Sequence, residues 1–230
     1  MLTTTHLDEK VEILSNVNLF NGLSDSAMDN LADMTQKITF SKGRKIYSIG
    51  DECDEVFIII RGMIKICRYS DDGREVIKNI LSPNSVFGES GIYDIRERVD
   101  NAISLDNNLE LLVFNVQDLK DYMRSEWDLT SNIVKFLGKR KILAEKRFES
   151  VVLNDARTRI IDFLKDNANQ LGQKIGYEML IKHSLTQQDI ANFTGTSRQT
   201  VTSVLNDLKK TNQIYFKRKS ILIRDITTLS

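Results

Sequence analysis

The spacing of apolar positions changes character several times along this chain. Leu14, Val17, Leu19, Phe20, Leu23, Met28, Leu31 and Met34 recur at roughly helical intervals in a polar stretch, which predicts one or two short helices. From Ile38 to Phe114 the apolar residues cluster instead into short β-branched and aromatic runs: KIYS, VFIIIRG, MIKICRY, REVIKNIL, SVFG, AIS and ELLVF. Gly43, Gly50 with Asp51, Gly62, Asp71-Asp72-Gly73 and Pro83-Asn84 cut these runs at points where most suit hairpin turns. So many short strands at near-regular spacing predict an antiparallel roll or barrel, and with the flanking helices an α+β chain.

Beyond Asp118 the pattern becomes helical again. Leu119 to Val151 contains no Pro and one Gly and is rich in Lys, Glu, Leu and Ile, which predicts one long helix. Val134, Leu137, Lys141, Ala144, Phe148 and Val151 alternate steps of three and four, the pattern of a coiled-coil seam with Lys141 as its one polar member. Charged residues at 139, 140, 141, 145, 146, 147 and 149 leave a narrow apolar stripe, of the kind two identical helices share. A helix packed on its own β domain is the competing reading. Asn154-Asp155 reads as a hinge, with Asp155 capping a helix that carries Ile160, Ile161, Phe163 and Leu164 until the Asn-rich NANQLGQK breaks the pattern. The predicted segments are 1–118, 119–153 and 154–230.

Within the last segment, Gln187 to Asn206 reads as a helix-turn-helix. Ala191 permits a close helix crossing, Gly195 takes the positive φ of the turn, and Val201 and Val204 face inward. Ser197 is the expected N-cap of the second helix. Arg198, Gln199, Thr200, Thr202 and Ser203 then lie on or near its outer face, where Arg and Gln suit the major groove of DNA. Gln213 to Arg224 alternates around Lys217-Arg218-Lys219, which predicts two strands and a basic turn, a wing that sets cations against a phosphate backbone. An ordinary helical hairpin is the bland alternative.

Charge sharpens this picture. The 230 residues carry no net charge, yet residues 1–150 hold 20 Lys+Arg against 25 Asp+Glu and residues 151–230 hold 12 against 7. The basic end attracts a polyanion and the acidic end turns away from it. The first 20 residues lack the layout of a signal peptide and no apolar run spans a bilayer, so a cytoplasmic protein with no membrane partner is expected. Cys53 and Cys67 are too few for a disulfide scaffold or a four-cysteine site and read as buried strand residues; a thiol sensor at either stays open. His6 and His183 lie in different segments and read as surface or capping residues, so no metal site, and with it no enzyme, is expected.

In this order the motifs LFNGLS (19 to 24), KGRKIYSIGD (42 to 51), VFIIIRGMIKI (56 to 66), DGREVIKNIL (72 to 81), VFGESGI (86 to 92) and SLTQQDIANFTGTSRQTVTSVLNDLKK (184 to 210) resemble a family of bacterial regulators. It is the one named after the cyclic AMP receptor protein and the fumarate and nitrate reduction regulator. The resemblance covers nearly the whole chain. It implies an N-terminal β roll of the cyclic-nucleotide-binding type, a long dimerisation helix and a C-terminal winged helix-turn-helix. Its implied partners are a second copy, a palindromic double-stranded operator with half-sites about one helical turn, roughly 34 Å, apart, and RNA polymerase.

The resemblance also bears on the effector. Phe87, Gly88 and Glu89, with Ser90 next, match the front of the family's cyclic-nucleotide cassette, but its Arg-Ser pair falls on Val99-Asp100, or on Arg98-Val99 after a one-residue slip. An Asp facing a phosphate is repelled, and without the Arg the strongest anchor is lost. The Thr-Ser pair offered to the adenine falls on Ala144-Glu145. Cyclic AMP is therefore disfavoured, and Glu89 is as well explained by satisfying N–H groups of its own turn. No iron-sulfur cluster or haem is expected, since the N-terminal cysteine cluster and paired histidines are absent from the sequence. The effector stays unidentified, and a nucleotide- or anion-binding module acting through a protein partner is the alternative function.

Overall fold

The computed structural model describes residues 2–217 and 219–230, with side chains of the first helix from Leu7 onward; Arg218 and the side chain of His6 lie outside the described residues. The chain forms two units, one running up to Cys67 and continuing over Ile80–Leu143, the other comprising Arg68–Asn79 and Ala144–Ser230.

The first unit begins with α1 (Leu2–Ser15) and α2 (Asp25–Asp33), the latter capped by the Ser24 side chain on the Ala27 N–H. Strands β1 (Thr35–Phe40), β2 (Lys45–Tyr47), β3 (Glu55–Arg61), β4 (Ile64–Tyr69), β5 (Glu75–Leu81), β6 (Val86–Phe87), β7 (Asn101–Ser104) and β8 (Leu109–Asn115) follow. They form two four-stranded sheets, ordered β1-β8-β3-β6 and β2-β7-β4-β5. The unbroken apolar runs of β3 and β8 have a simple cause. Successive side chains on a strand point to opposite faces, and here both faces are covered. Val56, Ile58, Leu112 and Phe114 join a core with α1, α2 and the helices after the strands, while Phe57, Ile59, Leu111 and Val113 join a second core between the sheets.

The expected single helix from Leu119 is interrupted. Helix α3 (Val116–Ser125), capped by Asn115, ends at Glu126, whose backbone is extended (φ −115°, ψ 90°), and α4 runs from Trp127 to Leu153. Val116 and Leu119 on α3 and Leu129 and Ile133 on α4 enter the same core, and two helix axes meet that demand where one does not.

In the second unit Asp155 caps α5 (Ala156–Leu171) by accepting from the Thr158 N–H at 2.7 Å. The helix does not break at the Asn-rich stretch: Ala168 is buried, Asn167 bonds back to the Phe163 carbonyl, and α5 ends only at Gly172. A hairpin not expected from the sequence, β9 (Gln173–Ile175) and β10 (Glu178–Lys182), precedes α6 (Gln187–Thr194) and α7 (Arg198–Lys210). Strands β11 (Ile214–Lys217) and β12 (Ser220–Ile223) complete a sheet of order β11-β12-β10-β9. Among the described residues no helix is long and apolar enough to cross a membrane.

Candidate nucleic-acid interface

The geometry of α6 and α7 follows from local chemistry. Thr186 and Asp189 form a reciprocal capping box, the threonine oxygen taking the Asp189 N–H at 3.1 Å and the carboxylate the Thr186 N–H at 2.9 Å. Gly195 ends α6 at φ 64°, a conformation that costs a side-chain-bearing residue and not glycine. Ala191 is fully buried at the crossing, and Val201, Val204, Leu205 and Leu208 fill the inner face of α7. Ser197 accepts from the Thr200 N–H at 3.0 Å, so α7 starts with a satisfied cap.

Arg198 and Gln199 are exposed beside that N-terminus, and Ser203 is exposed one turn further along α7. Thr200 and Thr202 are not equivalent to them. The Thr200 hydroxyl pairs with Ser197 at 2.9 Å, and the Thr202 hydroxyl lies 2.7 Å from Gln187 Oε1 and 2.9 Å from the Arg198 carbonyl. Thr202 therefore fastens α7 to α6, and Gln187, which sequence reasoning passed over, is its partner. Arg159 braces the turn from α5, donating to the Thr194 carbonyl at 2.7 Å, the Gly195 carbonyl at 3.2 Å and the Asn154 carbonyl at 2.6 Å. The Thr194 and Gly195 carbonyls lie at the negative end of α6, beyond the reach of intrahelical donors, where a cation is favoured.

The basic turn joins β11 to β12 as expected. Lys217 and Lys219 are exposed, and Lys219 takes φ 69° to close the turn; Arg218 lies outside the described residues. His183, expected at the surface or in a cap, instead donates its backbone N–H to the Lys219 carbonyl at 3.0 Å and shuts both ring nitrogens away from water. Burial pulls its pKa below the usual value.

In the first unit the cassette residues are held by the protein itself. Phe87 is buried and stacks on Phe57 with centroids 4.9 Å apart, so its ring belongs to the core. Gly88 sits at φ 80°, where an added Cβ would meet the Phe57 ring at 2.9 Å and Arg98 Nη1 at 3.0 Å. Arg98 is buried, donates to the Gly88 and Glu55 carbonyls at 2.6 Å each, and lies 4.3 Å from the Tyr47 ring centroid. Glu89 is also buried, and its partner is an arginine of the long helix rather than its own turn. Arg140 of α4 reaches Glu89 Oε1 at 2.7 Å and the Val86 carbonyl at 2.6 Å. Ser90 is half-buried in the short helical turn Glu89–Tyr93.

A cyclic nucleotide fits these residues poorly. Both guanidiniums are already engaged by protein acceptors, Arg98 by the Gly88 and Glu55 carbonyls and Arg140 by Glu89 and the Val86 carbonyl; the small cavity of about 10 Å³ beside Glu89 belongs to the helix-facing core and is lined by neither Gly88 nor Arg98. Cutting Glu89 to Ala takes the carboxylate from Arg140 and leaves it the Val86 carbonyl and the Phe136 ring. Urea denaturation should register a loss of roughly 2–3 kcal/mol, below the ~3–5 kcal/mol of a fully buried pair because the Arg140 side chain is 27% exposed; an unchanged midpoint would mean that the pair contributes nothing. Cys53 and Cys67 are both buried, Cys67 in β4 and Cys53 just outside a strand.

On α4 the seam positions Val134, Lys141, Ala144, Phe148 and Val151 are exposed, Val134 to 65% and Phe148 to 72%. Leu137 is half-buried because, with Phe136, it packs against the core of the first unit. The exposed apolar surface is broader than the narrow stripe expected, since Ile142, Leu143, Val152 and Leu153 are exposed as well.

The chain matches the family model for the cyclic nucleotide-binding domain over residues 37–126 and that for the Crp-like helix-turn-helix domain over residues 158–230. It is 28% identical, over 95% of its length and 97% of the relative's, to the CRP-like cAMP-activated global transcriptional regulator of Mycobacterium tuberculosis. It is 25% identical to the global nitrogen regulator of a Nostoc species, over 93% and 94% of the two chains. Among solved structures, FixK2 from Bradyrhizobium japonicum superposes with a TM-score of 0.77 at 17% identity, covering 85% of this chain and 95% of that one. A CooA mutant from Carboxydothermus hydrogenoformans gives 0.71 at 22% identity, covering 91% and 90%.

Proposed function

Because the chain belongs to the Crp/Fnr family of transcription regulators, carrying both a cyclic nucleotide-binding domain and a Crp-like helix-turn-helix, we propose that it reads a palindromic operator as a homodimer. The reading rests above all on one observation: Arg198 and Gln199 stand exposed at the capped start of α7, with Ser203 exposed one turn further on. Arg198 offers a bidentate contact to guanine and Gln199 one to adenine, while Ser203 is too short for a strong base contact. Lys217 and Lys219 of the wing contribute phosphate contacts. The dimer forms along α4, through Val134, Leu137, Lys141, Ala144, Phe148 and Val151, and sets the two reading helices about one turn of DNA apart, roughly 34 Å. As a transcription regulator it acts with RNA polymerase, in the cytoplasm.

The mycobacterial relative is named as cAMP-activated. In this chain Arg98 and Arg140 are engaged by Gly88, Glu55, Glu89 and Val86, so cyclic AMP is not proposed as the effector. Selection of bound sites from a random duplex library, with purified ligand-free protein at near-physiological salt, tests the whole reading. One palindrome with half-sites a turn apart is the expected product. Binding that is salt-sensitive but yields no motif would remove operator reading by the ligand-free protein.

A further inference from the structure

Helix α6 is gripped on a second side, by an arginine that the sequence places among the charged positions of the long helix. Arg147 of α4 lies half-buried over the Phe193 ring, 3.8 Å from its centroid. Its Nη2 is 3.2 Å from the Phe193 carbonyl and 3.4 Å from the Ile77 carbonyl, and its Nη1 is 3.4 Å from Asn79 Oδ1. Ile77 and Asn79 belong to the segment Arg68–Asn79, which folds as part of the second unit. The same segment holds the neighbouring residue of α6: Asn192 Nδ2 donates to Glu75 Oε2 at 2.7 Å, and Glu75 Oε1 accepts from the Tyr69 hydroxyl at 3.0 Å. Two consecutive α6 residues, Asn192 and Phe193, are thus fixed to one hairpin. With Arg159 on Thr194 and Gly195, the last carbonyls of α6 and its turn are taken by two guanidiniums from two different helices.

A planar guanidinium suits this position and an ammonium does not. Three acceptors on two segments lie around one fork whose face covers a ring, whereas lysine offers a point charge on a flexible stem. Since α6 carries α7 through a turn and the Thr202–Gln187 bond, a shift of α6 becomes a shift of Arg198 and Gln199.

We propose that Arg147, with Glu75, is a positioning residue for operator reading: it clamps the hairpin Arg68–Asn79 to the end of α6 and so fixes how α7 is presented. This inference rests on α7 being the reader. The clamp contributes to specific recognition, where a misplacement of side chains by a fraction of a hydrogen-bond length matters, and little to nonspecific phosphate attraction.

The test compares the full-length protein with R147K, E75Q, the double variant and R198A, each titrated with the selected operator and with an unrelated duplex. R147K should lower operator affinity by roughly 5–10-fold and leave the unrelated duplex within about twofold, because charge is kept while the fork is lost. E75Q should act in the same direction, and the double variant should lose less than the product of the two, since both open one clamp. A loss of fold alone would lower both affinities together and leave their ratio unchanged, which would sink the proposal. So would R147K and E75Q binding the operator as the unchanged protein does while R198A fails, and so would tighter binding by R147K, which would make the contact a lock. If R198A also binds unchanged, the DNA-reading role of α7 falls, and the clamp with it.

Discussion

Replacing Arg198 with Ala should weaken selective binding of the proposed operator. A bidentate arginine contact to guanine discriminates by roughly 1–3 kcal/mol, and a two-fold dimer forgoes it twice, so the operator complex weakens by roughly 2–6 kcal/mol. That is about one and a half to four orders of magnitude in Kd. The capped start of α7 should persist, because Ser197 and Thr200 make the cap without the arginine side chain. Changing Lys217 and Lys219 to Gln is the instructive contrast. Operator and random duplex should then weaken alike, and the slope of log Kd against log salt should flatten by about one for each phosphate no longer neutralised. Competition titrations at several salt concentrations separate the two. Retention of both affinity and selectivity by Arg198→Ala would show that α7 does not read bases.

The second large effect is expected on α4. Phe148 is 72% exposed in the single chain, next to exposed Val151 and Val152. Burying a Phe side chain contributes roughly 1.5–3 kcal/mol, and a symmetric seam buries it from both copies. Phe148→Glu removes that gain twice and brings two carboxylates toward the two-fold axis, so the dimer should weaken by at least roughly 3–6 kcal/mol, two to four orders of magnitude in its Kd. Sedimentation should find a folded monomer at micromolar concentration. Operator binding should drop with it, because each half-site is then bound alone and the second binding event is no longer intramolecular. A variant that remains dimeric would place the subunit interface elsewhere.

What could be read from the sequence follows how local the cause is. The helix-turn-helix was legible because its signals sit within a few residues of their effects: Ser197 caps its own helix, Gly195 makes its own turn, and Ala191 lies at its own crossing. The strand runs were legible for the same reason, although the double-sided burial of β3 and β8 shows why they lack clean alternation. The break at Glu126 was not legible. No Pro or Gly marks it, and it arises because Leu119 and Leu129 must reach one core. Helix α5 likewise continues through a stretch of poor propensity because Ala168 is buried, a tertiary cause that overrides a weak local preference. The partners of Glu89 and Asn192, Arg140 and Glu75, lie far away in the chain, and no spacing rule connects them. In the sequence Arg140 and Arg147 are two of seven charges that border the apolar stripe, and the fold gives each a set of acceptors.

If α7 reads the operator as proposed, the bond between Thr202 and Gln187 limits how much information it can hold. With that hydroxyl committed to α6, few side chains at the start of α7 remain to meet bases, and Ser203 among them is short. If each half-site specifies about three base pairs, a palindrome fixes about six, a pattern met by chance about once in 4,000 positions. Against the ~10⁶ or more competing sites of a genome, that leaves hundreds of accidental matches. Selective occupancy then has to come from how readily the DNA between and beside the half-sites bends, which is written in base pairs the protein never touches.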